Sequence, residues 1–192
     1  MVRTTSTMLP LGSSLPGFVL PQCLPGAGPW SSDSRSAQPL LVMFLCVHCP
    51  FVKHVEPEIT RLQTDFGERV QLLGISSNSL ETHPQDNPAA MAAQRARMGW
   101  RFPYLFDGEQ TVARAFRAAC TPDFFLFDAA GSLVYRGQLD GSRPGNDEPL
   151  TGSDLRAALT AALACVPPPG PQRPSIGCNI KWHPGREPAW FG

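Results

Sequence analysis

No excess of charge of either sign marks this 192-residue chain: sixteen Lys and Arg balance sixteen Asp and Glu. A balanced surface gives nucleic acid and anionic membranes no electrostatic footprint, so neither is expected as a partner. No apolar run approaches the ~20 residues that a membrane-spanning helix needs. Internal repeats are lacking. Pro10, Gly12, Pro16 and Gly17 interrupt any apolar stretch in the first twenty residues. That argues against a secretory leader and makes the cytoplasm the expected location.

What remains is a chain 42% apolar, enough for one core and one domain. It also carries six cysteines. Without a secretory context, such a number points to redox chemistry or metal rather than to a structural disulfide framework. Cys23 and Cys165 fall in no motif and read as small apolar residues.

Residues 1–38 read as a loop-rich extension packed on the domain, with Phe18-Val19-Leu20 as a short strand and 26–38 as an exposed turn region. The continuous apolar run 39–47 predicts a strand buried on both faces. Phe51, Val55, Ile59, Leu62 and Phe66 then recur at helical spacing and predict a helix over 50–67, bent at Pro57. Further on, the pattern predicts strands at 70–76 and 102–106 and helices at 88–98 and 111–118. A hairpin of 124–127 with 133–135 follows, then a helix capped by Ser153 or Asp154 and ending near Ala164. This order makes an α/β sandwich: a redox-sized domain at 39–165, followed at 166–192 by a proline-rich linker and a tail that docks back.

Cys49 closes the apolar run and opens the helix, with Pro50 at the first helical position, where its missing N–H costs nothing. Partial positive charge at a helix start favours thiolate over thiol, and His48 and Lys53 can add to it. This makes Cys49 the candidate nucleophile, open to solvent, against the alternative of an inert packed cysteine. Cys46-Val47-His48-Cys49 is formally a C-x-x-C, the spacing of a reversible disulfide.

The strand–Cys–kinked-helix order resembles the thioredoxin fold, with Pro57 eight residues after Cys49 and Thr121-Pro122 standing where that fold places a usually cis proline. "LPLGSSLPGFVLP" resembles the entry segment of peroxiredoxins. Together with it, "CVHCPFVKH", "ACTPDFFLFD", "YRGQLDGSRPGN" and "PSIGCNIKW" resemble the peroxiredoxin-like proteins grouped with the alkyl hydroperoxide reductase and thiol-specific antioxidant family. The resemblance implies a thioredoxin-like mixed sheet flanked by helices. It also implies a thiol-dependent oxidoreductase without a cofactor, using Cys49 to reduce peroxides or disulfides, a second cysteine to resolve, and a thioredoxin- or glutathione-type thiol donor.

The pattern departs from both parents. The second thioredoxin cysteine falls at Val52, and that family's buried acid at Met43. The peroxiredoxin threonine is Cys46, and the arginine of that family coincides with Pro122.

Several roles therefore stay open. Cys46 either pairs with Cys49 or fills the threonine slot. Cys120 is a second partner or a core residue. Cys178 is a resolving thiol carried in by the tail, or it merely packs. His48 tunes the thiol, shuttles protons or is a polar spacer. Arg143 replaces the missing oxyanion-binding arginine or bonds turn carbonyls. Asp123 is a water-accessible acid or an edge-strand residue. Rival functions are disulfide exchange without peroxidase activity, a metal site drawn from Cys46, His48, Cys49, Cys178 and His183, and a binding protein that kept only the fold.

Overall fold

The computed structural model describes residues 3–191. Strands β1 (Arg3–Thr5), β2 (Val19–Leu20) and β3 (Trp30–Ser31) precede β4 (Leu40–Phe44) and helix α1 (Pro50–Phe66). Then come β5 (Gln71–Ser76), α2 (Pro88–Met98), β6 (Tyr104–Phe106), α3 (Thr111–Ala115), β7 (Cys120–Thr121), β8 (Asp123–Phe127) and β9 (Leu133–Gly137). Helix α4 (Ser153–Leu163) and strand β10 (Ile176–Asn179) complete the chain.

The central sheet has the order β6-β5-β4-β8-β9, with β4 parallel to β5 and antiparallel to β8. β4 is the middle strand and wholly buried, which is why its sequence shows no polar alternation. Leu41 and Met43 join the core beneath α1, α2 and α4, while Leu40, Val42 and Phe44 face the aromatic cluster of Phe116, Phe125 and Phe127. Helix α1 runs on through Pro57 and lays Val52, Val55, Ile59 and Leu62 against the sheet.

Several expectations change. The first strand stops at Phe44, because Leu45–Val47 must turn the chain into α1. Helix α3 ends at Ala115, where Arg117 takes a positive φ of 49° and lets the chain swing into β7. The cap of α4 is Gly152, in the left-handed region at φ 66°, not Ser153 or Asp154. Trp30 and Ser32 are buried, so 26–38 is not uniformly an exposed turn. Cys165 is exposed, not packed.

The largest difference lies at the two ends of the chain. β10 is sandwiched between β1 and β7, antiparallel to both, with Cys178 opposite Arg3 on one side and Thr121 on the other. The tail is therefore a strap of sheet. Past it, Ile180 and Trp182 are buried, and Arg114 lies over the Trp182 ring at 5.0 Å. Gly177 is required for this approach, since a Cβ there would run into the Thr121 carbonyl. Gly177→Val should lower stability by about 1–3 kcal/mol. It should also raise the rate at which a bulky maleimide labels Cys49 at least ~10-fold, because burial of a thiol is what limits its access. An unchanged labelling rate would mean that the strap does not gate the sulfur.

Candidate redox centre

Cys49 is the N-cap of α1, extended at φ −69° and ψ 123°, with Pro50 next in line and no side-chain cap bond. Its sulfur lies 2.6 Å from Cys178 Sγ and 3.3 Å from the Thr121 carbonyl oxygen. Two sulfurs at that distance are well inside ordinary contact and only about 0.5 Å beyond a covalent S–S bond. The Thr121–Pro122 peptide is cis. Cys49 is not open to solvent as expected: it is 0% exposed, beneath the strap.

Burial alone would silence a thiol by penalising its anion. Here it is outweighed. The contact with Cys178, then that with Cys46, holds the Cys49 thiol well below its ordinary range, against desolvation, with the Val52 amide at the helix start helping. The partners move the other way. The bond to Cys49, and then burial, pushes Cys178 up. Cys46 is held well above the usual thiol range by burial, by Cys49 and by Asp86. The shifts run in opposite directions, so Cys49 is the thiol of the three that the site favours to ionise.

The remaining candidates fall into place around this core. Cys46 Sγ lies 3.3 Å from the Thr121 hydroxyl. Cys120 is fully buried, its Sγ 3.7 Å from the Pro122 carbonyl, and burial keeps it a thiol. Arg143 donates to the carbonyls of Asp140 and Ser142 and to Gln138 Oε1, so its guanidinium serves a turn rather than the sulfur.

His48 Nδ1 lies 2.6 Å from Asp86 Oδ2, and His83 stacks on its ring at 5.0 Å. His183 is held by Ser79 and the Gly108 carbonyl, so the five residues considered for a metal do not converge. Among the described residues, Cys46, His48 and Asp86 do bring ligand atoms within 4.8 Å. However, the Asp86 oxygens are already taken by four donors, His48 Nδ1 included, so the group is a hydrogen-bond network.

Asp123 needs correction. It sits in β8, inside the sheet, fully buried and neither water-accessible nor on an edge. Sequence reasoning passed over Asp86 and Asn78 altogether; Asn78 lies in a loop and Asp86 in a single 3₁₀ turn, with no local pattern to single them out. It also passed over Gln94, whose Nε2 donates to the Cys46 carbonyl at 3.3 Å.

The model of the AhpC/TSA family matches residues 11–136. The chain belongs to the AhpC/TSA family. Two solved structures are similar over nearly their full length. An uncharacterized conserved protein from Geobacillus kaustophilus is 46% identical, with TM-score 0.92, covering 96% of this chain and 98% of the other. A hypothetical protein from Sinorhizobium meliloti is 40% identical, with TM-score 0.90, covering 95% and 100%. A thiol:disulfide interchange protein of the thioredoxin family from Chlorobium tepidum is 18% identical, with TM-score 0.61 over 79% of this chain and 97% of its own. That likeness shows the fold, which is thioredoxin-like. No curated protein sequence matches the chain. Membership of the family and the fold together make this a thiol redox protein. The family match ends before the strap, so Cys178 lies outside it.

Burial raises the Asp123 carboxyl to about 8, because neither oxygen finds a full partner and the Ser6 and Ser175 hydroxyls relieve it only in part. The protonated acid is the form that suits the fold. Its contribution to stability is whole below the unfolded value near ~4 and is lost as pH rises through about 8. Asp123→Asn should therefore gain in melting temperature over the parent as pH goes from 4 to 8. A gap that stays constant with pH would contradict this.

Proposed function

We propose that the protein reduces hydroperoxides through a Cys49–Cys178 couple. The observation that carries this reading is the 2.6 Å approach of the Cys49 and Cys178 sulfurs at the start of α1; that contact lowers the Cys49 thiol and raises Cys178. In the first step the Cys49 thiolate attacks the peroxide oxygen distal to the leaving group. An S–O bond forms and the O–O bond breaks; the attacked oxygen keeps its hydrogen, so sulfur becomes sulfenic acid, and the alkoxide or hydroxide leaves and takes up a proton from solvent. Cys178 then attacks that sulfur, the hydroxyl departs as water with the Cys178 proton, and a disulfide remains. Two electrons and two protons from an external thiol donor, of the thioredoxin or glutathione type, restore both thiols. A reducing compartment such as the cytoplasm suits that donor.

Burial beneath the strap favours a small oxidant over a bulky one. Disulfide exchange is the second reading. It is favoured by Pro122 standing where peroxidases of this family keep an arginine and by Arg143 being engaged elsewhere.

Turnover with a thiol donor separates the two. Peroxidase action requires a rate linear in low hydroperoxide concentration and abolished in Cys49→Ser. Cys178→Ser should still consume one equivalent of peroxide and then stop as a sulfenic acid that dimedone traps on Cys49. A Cys178→Ser variant that turns over like the parent would remove Cys178 from the mechanism. Peroxide-independent reduction of model disulfides with no peroxide turnover would favour exchange.

A further inference from the structure

Asp86 lies 37 residues downstream of Cys49, in a 3₁₀ turn (Pro84–Asp86), and its side chain is fully buried. Its Oδ1 accepts the backbone N–H of Val47 at 3.0 Å and that of His48 at 3.2 Å. Its Oδ2 takes the Asn78 side-chain amide at 2.8 Å and His48 Nδ1 at 2.6 Å. Both amides belong to the turn between β4 and α1, whose only task is to deliver Cys49 to the helix mouth. We propose that Asp86 is the positioning residue of the redox centre: its carboxylate clamps the Val47–His48 turn and so aims the Cys49 sulfur at Cys178 and the Val52 amide. This rests on the reading of Cys49 as the reactive thiol.

The turn needs such a clamp. Two neighbouring amides that leave a strand before a helix begins have no partner in either element, and a buried N–H without an acceptor is destabilising. A carboxylate satisfies both at once and makes bonds stronger than a neutral acceptor would. Burial pushes the Asp86 carboxyl up, yet the bonds from His48 and Asn78 bring it below the usual range, so it is ionised and only accepts. The proton in the Asp86–His48 bond therefore sits on Nδ1, which fixes the imidazole's orientation as well as the backbone's. Among the described residues the hydrogen bonds of Asp86 go to Val47, His48 and Asn78, so it acts on Cys49 through the turn.

A clamp and a simple charge effect predict opposite results. As a bare anion near thiols, Asp86 raises their pKa, as it does for Cys46, so removing it would ease ionisation of Cys49. As a clamp, its removal costs Cys49 its place and hinders ionisation. The groups that face the sulfur are Cys178 on the strap, Cys46 in the turn, Thr121 on β7 and the Val52 amide of α1. Lys181 acts on Cys178, and His83 lies over His48.

The test is the pH titration of thiolate absorbance near ~240 nm, with Cys49→Ser identifying the Cys49 step. Asp86→Ala should move that step up by at least about one pH unit, a ~10-fold loss of thiolate in the affected range. Asp86→Asn keeps an amide oxygen for the two N–H groups and should titrate close to the parent, which is rescue by the conservative variant. A step that moves down in both variants, or in neither, overturns the clamp. If Asp86→Ala fails to fold, Asn78→Ala, which removes one donor to the same carboxylate, should give a smaller shift upward; no shift there overturns the proposal. The readout concerns ionisation alone, so it stands apart from whether peroxide or disulfide is the substrate.

Discussion

The antiparallel pairing of β10 with β7 is the constraint on which the redox centre depends. It sets Cys178 opposite Thr121, whose carbonyl lies against the Cys49 sulfur, and so brings together two thiols 129 residues apart in sequence. Ladder bonds alone would not hold a four-residue strand in place. β1 pairs with its other edge, Ser175 bonds to Ser6 and to the Gly137 carbonyl, and beyond it Lys181 and His183 bond to Asn78 and Gln110. Clamped at both ends, the strap presents a preassembled pair of sulfurs. No tail excursion is needed to form a disulfide.

The same arrangement supplies the proposed nucleophile with partners although its sulfur is fully covered. In a low-dielectric site an isolated thiolate is costly, but each hydrogen bond it accepts is worth more than in water. The centre supplies thiol donors from Cys178 and Cys46 and an amide from the first turn of α1. In the proposed mechanism the thiol that resolves the sulfenic intermediate is also the group that stabilises the thiolate, so activation and resolution fall to one residue. Cys120, deeper and uncharged, lies beside the centre without joining it.

The fold was legible wherever local chemistry decides structure. A nine-residue apolar run reads as a central strand because β4 has core on both faces. The 3.6-residue recurrence from Phe51 to Phe66 reads as α1 because one face of that helix meets the sheet. Cys49 and Pro50 announce a helix start for the same local reason. What the sequence hid is set by long-range pairing. Arg3–Thr5 and Ile176–Asn179 are too short to show a period, and they become strands only through long-range pairing, β1 with β10 and β10 with β7. The choice among Cys46, Cys120 and Cys178, the burial of Cys49 and the part played by Asp86 all depend on that closure. Beyond the helix start and the C-x-x-C, the site adds one donor that no local pattern shows, Cys178.

The most direct measurement is peptide mapping by mass spectrometry after one equivalent of hydrogen peroxide is added to the fully reduced protein. The account requires a single new cross-link, Cys49 to Cys178, with Cys46 and Cys120 still titrating as thiols. A disulfide between Cys46 and Cys49, or oxidation that leaves Cys49 untouched, would contradict it.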